Sequence, residues 1–289
     1  TLTFVATANA VTYTGARPVF ADSEPHTWNI APEAAAQAFS PRTRAIIAVH
    51  LYGHPADMEP LRALAEQHGL TLIEDAAEAH GARYKGQRVG SLSDVAVFSF
   101  FGNKIITTGE GGMVLTDDST LAERCFFLEN QARHKENPYW HPEIGYNYRM
   151  TNVQAALGVA QLERIEELVA IRIRNAAHYE SRLSEVPGLR LPPNAEWAEN
   201  VYWMYTVLVE DGFGLDRDTL RNRLRQRGID ARPAFYPIHT LPMYDQSERF
   251  PVAEELGRKG LNLPSGATLT PEQVDLVCDA VMEISRTGE

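Results

Sequence analysis

Four short apolar runs, two of them separated by a helical pattern, constrain the fold of this chain more than any other feature. The runs are RAIIAVH (44–50), LTLIED (70–75), DVAVFSF (94–100) and GGMVLTD (111–117). Between the first two lies MEPLRALAEQHG, whose apolar residues share one helical stripe and whose last glycine, Gly69, stands at a C-terminal cap position. A strand, a helix and a second strand at these separations predict an α/β domain with a parallel or mixed sheet.

The second half of the chain predicts a smaller domain that is reached through a long helix. One helical pattern covers about residues 151–186, and its length suits a connector. Beyond it, VYWMYTVLVE is typical of a strand, and two further helical patterns begin at Asp216 and at Thr270, both of which are good N-caps. We therefore expect a large α/β domain over 1–150, a connecting helix over 151–186 and a small α+β domain over 187–289.

The composition is that of a globular protein and excludes several classes of partner. Of the 289 residues 44% are hydrophobic, and the formal net charge is -11, which argues against a nucleic-acid partner because phosphate binding needs a basic face. No apolar run is long enough for a membrane span, and no signal peptide is visible. Cys125 and Cys278 lie far apart, without a metal-binding or redox spacing, so we expect no metal and a cytoplasmic location.

The first residues suggest that the sequence begins inside a domain. The chain starts at Thr1 without a methionine and continues as TLTFVATANAV, which is typical of the end of a strand followed by a helix. We therefore expect an N-terminal segment of the large domain to be missing.

Three chemically useful residues fall where two of the predicted strands end. Asp75 ends LTLIED, Ser99 lies near the end of DVAVFSF, and Lys104 follows shortly after, before the glycine-rich TTGEGG. Ligands of open α/β sheets bind at the carboxyl ends of strands. On the residues alone, however, an aspartate at a strand end is usually a cap or loop residue, and a loop lysine is usually solvated. The glycines predict a turn with positive φ angles and do not form a dinucleotide fingerprint.

The run IEDAAEAHGARYKGQRVGSLSDVAVFSFFGNKIITTGEGGMVLTDD (73–118) resembles the DegT/DnrJ/EryC1/StrS family of sugar aminotransferases, which use pyridoxal phosphate (PLP). The likeness extends from TFVATANAV through GYNYRMTNVQAALG to NLPSG, and so covers nearly the whole chain. It implies the fold type I of PLP-dependent transferases. In that fold a large α/β domain surrounds a mixed, mostly parallel sheet of about seven strands, a small α+β domain follows, and two chains form a homodimer.

The resemblance also assigns roles to the residues at the strand ends. Lys104 would form the Schiff base with PLP and, once displaced by the substrate, would move the proton between the substrate carbon and the cofactor. Asp75 would keep the pyridine nitrogen protonated, so that the ring acts as an electron sink. Ser99 would donate to the cofactor phosphate. Because related sugar dehydratases carry histidine in place of this lysine, Lys104 favours transamination.

Three further positions match the family, each with an ordinary alternative. Phe4 falls where an aromatic ring stacks on the pyridine, although it is also compatible with a core residue. Glu78 stands where many members carry glutamine beside the phenolic oxygen of the cofactor, so its carboxyl group should be protonated or turned aside. Asn147 would reach the phosphate of the neighbouring subunit's cofactor, which makes each active site composite, but a turn residue would look the same.

The stretches RHKENPYWHPEIGYNYRMTN and RPAFYPIHTLPMY resemble the GDP-perosamine synthase branch of the family. Those enzymes transfer the amino group of L-glutamate to C4 of GDP-4-keto-6-deoxy-D-mannose, so we expect a nucleotide-sugar substrate. A diphosphate needs local cations on an acidic chain, which makes Arg232 and His239 candidate substrate contacts, with His134 and Lys135 less strongly placed. Each is equally compatible with a surface charge.

Two competing hypotheses remain at this point. The first is that the polypeptide is an N-terminally truncated fragment, or a non-catalytic binding or regulatory module with the same fold. The second is that the α/β domain binds an unrelated nucleotide and that Lys104 is incidental.

Overall fold

A computed structural model describes residues 1–244 and 247–287 of the chain. Its helices are α1 (Ala6–Tyr13), α2 (Pro32–Gln37), α3 (Met58–His68), α4 (Ser119–Glu129), α5 (Asn152–Leu162), α6 (Ile165–Leu183), α7 (Arg217–Gln226), α8 (Pro251–Lys259) and α9 (Pro271–Thr287). Its strands are β1 (Ala45–Val49), β2 (Thr71–Asp75), β3 (Arg83–Tyr84), β4 (Gln87–Arg88), β5 (Val95–Ser99), β6 (Gly112–Leu115), β7 (Leu189–Arg190), β8 (Ala198–Glu199), β9 (Tyr205–Val209), β10 (Arg232–Pro233) and β11 (Gly260–Leu263).

The four apolar runs form the main sheet, as predicted. Its order is β1-β2-β5-β6, with β1, β2 and β5 parallel to one another and β6 antiparallel to β5. The mixed, mostly parallel α/β architecture is therefore confirmed. The expected seven strands are not found in this sheet within residues 1–244 and 247–287, because the other strands pair among themselves in two small sheets, β10-β11-β9-β7 and β4-β3-β8.

Helix ends lie where the cap residues predict them. Gly69 ends α3 in the left-handed conformation at φ 62°, which a glycine adopts without strain. The Asp216 side chain accepts a hydrogen bond from the Thr219 N–H at the start of α7, and Thr270 does the same for Gln273 at the start of α9.

The single connecting helix expected over 151–186 is wrong. The helical pattern is interrupted between α5 and α6, where the backbone of Arg164 leaves the helical region at φ -108° and ψ 11°. The Arg164 guanidinium donates to both carboxylate oxygens of Glu167, at 2.9 and 2.8 Å, in the first turn of α6. The two helices also differ in environment, because α6 buries residues such as Tyr179 and Leu183 whereas α5 buries none.

Two hydrophobic cores lie in the chain, and the first takes in residues from both halves. It packs β1, β2 and α3 together with Val201, Trp203 and Leu256, which follow the boundary expected at residue 187. The second core lies between α6, β9 and α9. The division into 1–150, 151–186 and 187–289 stays a prediction.

A buried hydrogen-bond network around Glu74 fixes the carboxyl ends of β1 and β2. The fully buried Glu74 carboxylate lies 3.0 Å from Nε2 of His50. The Nδ1 atom of that ring accepts from the Ala56 N–H, so Nε2 carries the hydrogen. Three further donors reach the carboxylate, namely the N–H groups of Gly90 and Leu92 and the Ser93 hydroxyl. Burial opposes the charge on Glu74, but the hydrogen bonds outweigh it and lower its pKa.

We predict that Glu74→Gln lowers the free energy of unfolding by about 3 kcal/mol. The new NH₂ group would face N–H and O–H donors, with no acceptor, in a site that excludes water. Urea unfolding measures this value. The matched control is Glu59→Gln, whose side chain is exposed and pairs with Lys85 at the surface. That change should alter the stability by less than about 1 kcal/mol. Equal losses in the two variants would contradict the prediction.

Candidate active site

The carboxyl ends of β2 and β5 bring the predicted site residues together. The strands are parallel, with Asp75 opposite Val97, so that Asp75 and Ser99 end neighbouring strands at the same edge of the sheet. Glu78 follows the first strand and Lys104 the second, and the charge of Lys104 acts on Glu78. The topology therefore gathers a lysine and two carboxyl groups at the edge where ligands of such sheets bind.

The loop that carries Lys104 is held in a defined shape. The Phe100 N–H donates to the Gly111 carbonyl at 2.8 Å, and the Phe100 carbonyl accepts from the Thr108 N–H at 2.9 Å. Gly111 has φ 142°, and a Cβ there would lie 2.7 Å from Oγ1 of Thr108. The predicted positive φ angles of the glycine-rich segment are thus confirmed, and the buried Ile105 anchors the loop beneath the amine.

The amine of Lys104 lies over an aromatic ring. Its Nζ atom is 3.8 Å from the ring centroid of Trp203, a residue of the second half of the chain. Burial lowers the pKa of Lys104, and the negative charges of Glu78 and Asp75 act in the opposite direction. A larger fraction of the neutral, nucleophilic amine is therefore present near neutral pH than for a solvated lysine.

Asp75 is oriented by Thr7, a residue that no sequence motif singles out. Its Oδ2 atom accepts a hydrogen bond of 2.7 Å from the Thr7 hydroxyl on α1, and its Oδ1 atom accepts from the Ala77 N–H at 3.2 Å. Thr7 lies 68 positions away in the sequence, and no spacing motif links the two. The carboxylate of Asp75 is half-buried, which leaves lone pairs for a ligand.

Glu78 lies in an environment that favours its neutral form. The side chain is buried, and Oε2 accepts a hydrogen bond of 2.7 Å from the Tyr52 N–H. Burial raises the pKa of Glu78 to about 7, while the charge of Lys104 and the Tyr52 N–H limit the rise. The expectation of a protonated or displaced Glu78 stays a prediction, but the raised pKa gives it a physical basis.

Phe4 belongs to a series of aromatic contacts that leads to Trp203. The Phe4 ring is 55% exposed, and its centroid is 5.8 Å from that of Phe235. The Phe235 ring in turn lies 5.2 Å from Tyr52 and 6.4 Å from Trp203, on which the amine rests. Phe4 is therefore not a core residue, and stacking on a ligand remains its predicted role.

Ser99 and Asn147 occupy very different positions. The Ser99 hydroxyl is half-buried at the end of β5 and accepts from the Phe101 N–H at 3.2 Å. Asn147 is exposed in the loop between α4 and α5, where its backbone pairs with Asn130. In the part of the chain that the structure describes, it makes no contact with the lysine or with Asp75.

The two candidate substrate contacts differ in exposure. His239 is buried, with Nδ1 2.9 Å from the Thr1 hydroxyl and Nε2 3.3 Å from Glu254. Because both ring nitrogens have protein partners, its position does not support a contact with substrate and indicates a structural role. Arg232 is exposed on β10, and its guanidinium pairs with Asp230 at 2.9 Å.

Two kinds of feature are absent from residues 1–244 and 247–287. These residues contain no group of three or more His, Cys, Asp or Glu side chains that is arranged to hold a metal ion. They also contain no helix long and apolar enough to cross a membrane.

Comparisons with known proteins agree with this geometry. The pattern of the DegT/DnrJ/EryC1/StrS aminotransferase family matches residues 1–282. A GDP-perosamine synthase of Escherichia coli O157:H7 is 44% identical over 98% of this chain and 77% of its own length. A GDP-perosamine synthase of Caulobacter vibrioides is 46% identical with the same coverage.

The fold is shared as well. The crystal structure of DesV from S. venezuelae superimposes with a TM-score of 0.92 at 40% identity, over 98% of this chain and 76% of that one. The family match over nearly all of the sequence, together with a lysine and an aspartate at the ends of adjacent parallel strands, identifies the chain as a member of the DegT/DnrJ/EryC1/StrS family of PLP-dependent sugar aminotransferases.

Proposed function

We propose that this chain transfers the amino group of L-glutamate to the 4-keto carbon of GDP-4-keto-6-deoxy-D-mannose, which yields GDP-perosamine. The observation that carries the proposal is the Lys104 amine, which is partly desolvated and within reach of the charges of Asp75 and Glu78. The choice of sugar nucleotide is supported by the two relatives with that activity in their names.

The residues present fit PLP. The cofactor carries an aldehyde, a basic ring nitrogen, a flat aromatic ring and a phosphate, and each requires a different partner. Lys104 offers an amine that has no ion-pair partner in the described structure, and Asp75 a half-buried carboxylate held by Thr7. Phe4 offers an exposed ring, and Ser99 a hydroxyl at the strand end.

Lys104 is the residue that we assign to proton transfer. When bound, PLP supplies an electron sink for the pair that is released as a C–H bond of the substrate breaks. The Lys104 Nζ atom then takes a proton from one carbon and returns it to another. Burial lowers the pKa of Lys104 and so increases the fraction of the neutral amine, which is the form that accepts the proton.

Asp75 and Glu78 serve different purposes in this proposal. Asp75 would bind the ring nitrogen of the cofactor through a carboxylate oxygen, and the Thr7 hydroxyl fixes the orientation of the carboxylate. Glu78 is buried next to the lysine, and its raised pKa allows it to carry a proton and donate it to an oxygen of the ligand.

The substrate diphosphate requires cations on a chain whose net charge is -11. We assign Arg232 as a contact of the diphosphate, since its side chain is exposed. A bound phosphate would replace Asp230 as the partner of the guanidinium, which would then remain paired. His239 is left out of the proposal because it is buried.

We further propose a homodimer with composite active sites. Helix α5 is largely apolar yet buries no side chain, and Val153, Leu157 and Leu162 are all more than half exposed. An apolar face of this kind on a globular chain usually marks an interface. The loop that carries Asn147 leads directly into α5, which supports a contact between Asn147 and the cofactor phosphate of the second subunit.

The cytoplasm is the compartment that we propose. Cys125 and Cys278 are both free thiols, and burial raises the pKa of Cys278 to about 12, so that it stays in the inert protonated form.

We predict that the full chain, supplied with PLP and L-glutamate, aminates GDP-4-keto-6-deoxy-D-mannose in preference to the corresponding dTDP and UDP sugars. Formation of 2-oxoglutarate and of the amino sugar, followed by mass spectrometry, measures this activity. Lys104→Ala should abolish it without changing the fold, and borohydride reduction of the wild-type chain should attach the pyridoxyl group to Lys104.

The same experiment separates the competing hypotheses. If PLP is trapped on Lys104 but L-glutamate does not change its visible absorbance, the chain is a non-catalytic module. If no PLP is trapped, Lys104 is incidental. If another nucleotide sugar is the better acceptor, the chain remains an aminotransferase and the assigned substrate is wrong.

We predict that Glu78→Gln changes the pH dependence of stability. In the wild-type chain the folded state keeps the proton of Glu78 up to about pH 7, whereas the unfolded state loses it near the ordinary glutamate pKa of 4.5. The free energy of unfolding should therefore fall as the pH rises through this window, by about 3 kcal/mol. The glutamine variant cannot ionise and should lack this loss.

The measurement is the difference in the free energy of unfolding between variant and wild type at several pH values, without cofactor. Between pH 4.5 and pH 7 the free energy of unfolding of Glu78→Gln should rise relative to that of the wild-type chain. In the control, Glu66→Gln on the exposed face of α3, the difference should stay constant. A flat difference for Glu78→Gln as well would show that the buried carboxyl group ionises normally.

We predict that Leu157→Glu produces a monomer with little or no activity. A charge in the centre of the exposed α5 face opposes burial of that face. Sedimentation should give the mass of two 32.2 kDa subunits for the wild-type chain and the mass of one subunit for the variant. The matched control is Leu276→Glu on α9, a leucine that is similarly exposed, which should remain dimeric and active.

A further inference from the structure

The contact between Lys104 and Trp203 is not explained by the assignments above. The Nζ atom lies 3.8 Å from the centre of the indole ring, at the distance of a close cation–π contact. Within residues 1–244 and 247–287 the amine forms no salt bridge, although two carboxyl groups act on it through their charge. The ring is therefore the direct partner of the amine.

Trp203 is held too firmly for this contact to be accidental. Its ring is 4% exposed, and its Nε1–H donates at 2.8 Å to the carbonyl of Asn103, the residue before the lysine. Its own carbonyl accepts from the buried Arg172 at 3.0 Å and from the Ser265 hydroxyl at 3.0 Å. The indole is thus fastened both to the lysine loop and to the second half of the chain.

Other titratable groups act on the amine or lie near the indole. Asp75 and Glu78 follow β2 and favour the charged form of Lys104. His80 lies in the same loop, and burial together with the charge of Lys104 lowers its pKa to about 4, so it is neutral. Arg172 binds the backbone carbonyl of Trp203. In the described residues none of these groups forms a hydrogen bond or a salt bridge with the amine, which contacts the ring face at 3.8 Å.

We propose that Trp203 is a positioning residue whose indole face holds the protonated amine of Lys104 whenever that amine is not bonded to the cofactor. An aromatic face attracts an ammonium group but not a neutral amine, and it forms no hydrogen bond that must be broken before the lysine moves. The contact keeps the proton on Lys104 against burial and keeps the side chain at the site. Its part in turnover rests on the proposed function, but the contact can be measured without turnover.

The test is the pH dependence of Lys104 acetylation in the full chain, stripped of cofactor with hydroxylamine. Competitive labelling with acetic anhydride between about pH 6 and pH 11 gives a midpoint for each lysine by peptide mass spectrometry. Trp203→Leu should lower the midpoint of Lys104 by about one pH unit, because the ring no longer stabilises the ammonium. Trp203→Phe, which keeps a weaker aromatic face, should give an intermediate midpoint.

The control is Trp197→Leu, which removes a tryptophan that packs on His54 and Tyr84 instead. It should leave the midpoint of Lys104 unchanged. If Trp203→Leu does not fold, replacement of the four tryptophans by fluorotryptophan weakens the aromatic face at constant shape and should also lower the midpoint. An unchanged midpoint in the folded Trp203 variants or in the fluorinated chain, or an equal decrease in Trp197→Leu, would overturn the proposal.

A kinetic readout separates this inference from the proposed function. In an active chain, one limb of the pH profile of kcat reports the ionisation of Lys104. Trp203→Leu should move this limb toward lower pH by the same amount as the acetylation midpoint. If the wild-type chain has no aminotransferase activity and the acetylation midpoint still falls, the contact stands and the proposed function fails.

Discussion

The register between β2 and β5 is the constraint on which the site depends. In this register Glu74 faces the interior and takes its donors from the segment 90–93 that leads into β5, while Asp75 faces the opposite side. A slip by one residue would exchange the two faces, so that the buried network would lose its carboxylate and the site would receive the wrong one. The Glu74 network therefore fixes the position of Asp75, although it never touches the site.

Two carboxyl groups near one lysine behave differently because their surroundings differ. Asp75 is half-buried and accepts two hydrogen bonds, one on each oxygen, from Thr7 and Ala77. Glu78 is fully enclosed with a single backbone donor, and its pKa is raised to about 7. Burial with one donor therefore favours the protonated form of Glu78, whereas two donors orient the carboxylate of Asp75.

Local patterns predicted the four strands of the main sheet, β9, the helix caps and the clustering at the strand ends, because each depends on neighbours in the sequence. The short strands of the two small sheets were not predicted. The interruption at Arg164 was missed, since both flanking segments have helical periodicity and only their packing differs. Thr7 and Trp203 were missed for a different reason. Their contacts with Asp75 and with the Lys104 loop span 68 and 100 positions, and a single sequence contains no periodicity at that range. His239 was chosen by residue type, which does not report burial.

The second half of the chain lines one side of the site and is bonded to the first half. The Val201 N–H donates to the Gly53 carbonyl, and a Cβ on Gly53 would lie 2.8 Å from the Trp203 nitrogen, so this close approach requires a glycine. The Phe235 N–H donates to the Tyr52 hydroxyl at 2.9 Å. A hinge at residue 187 that opened the site would break these bonds and withdraw the indole from Lys104.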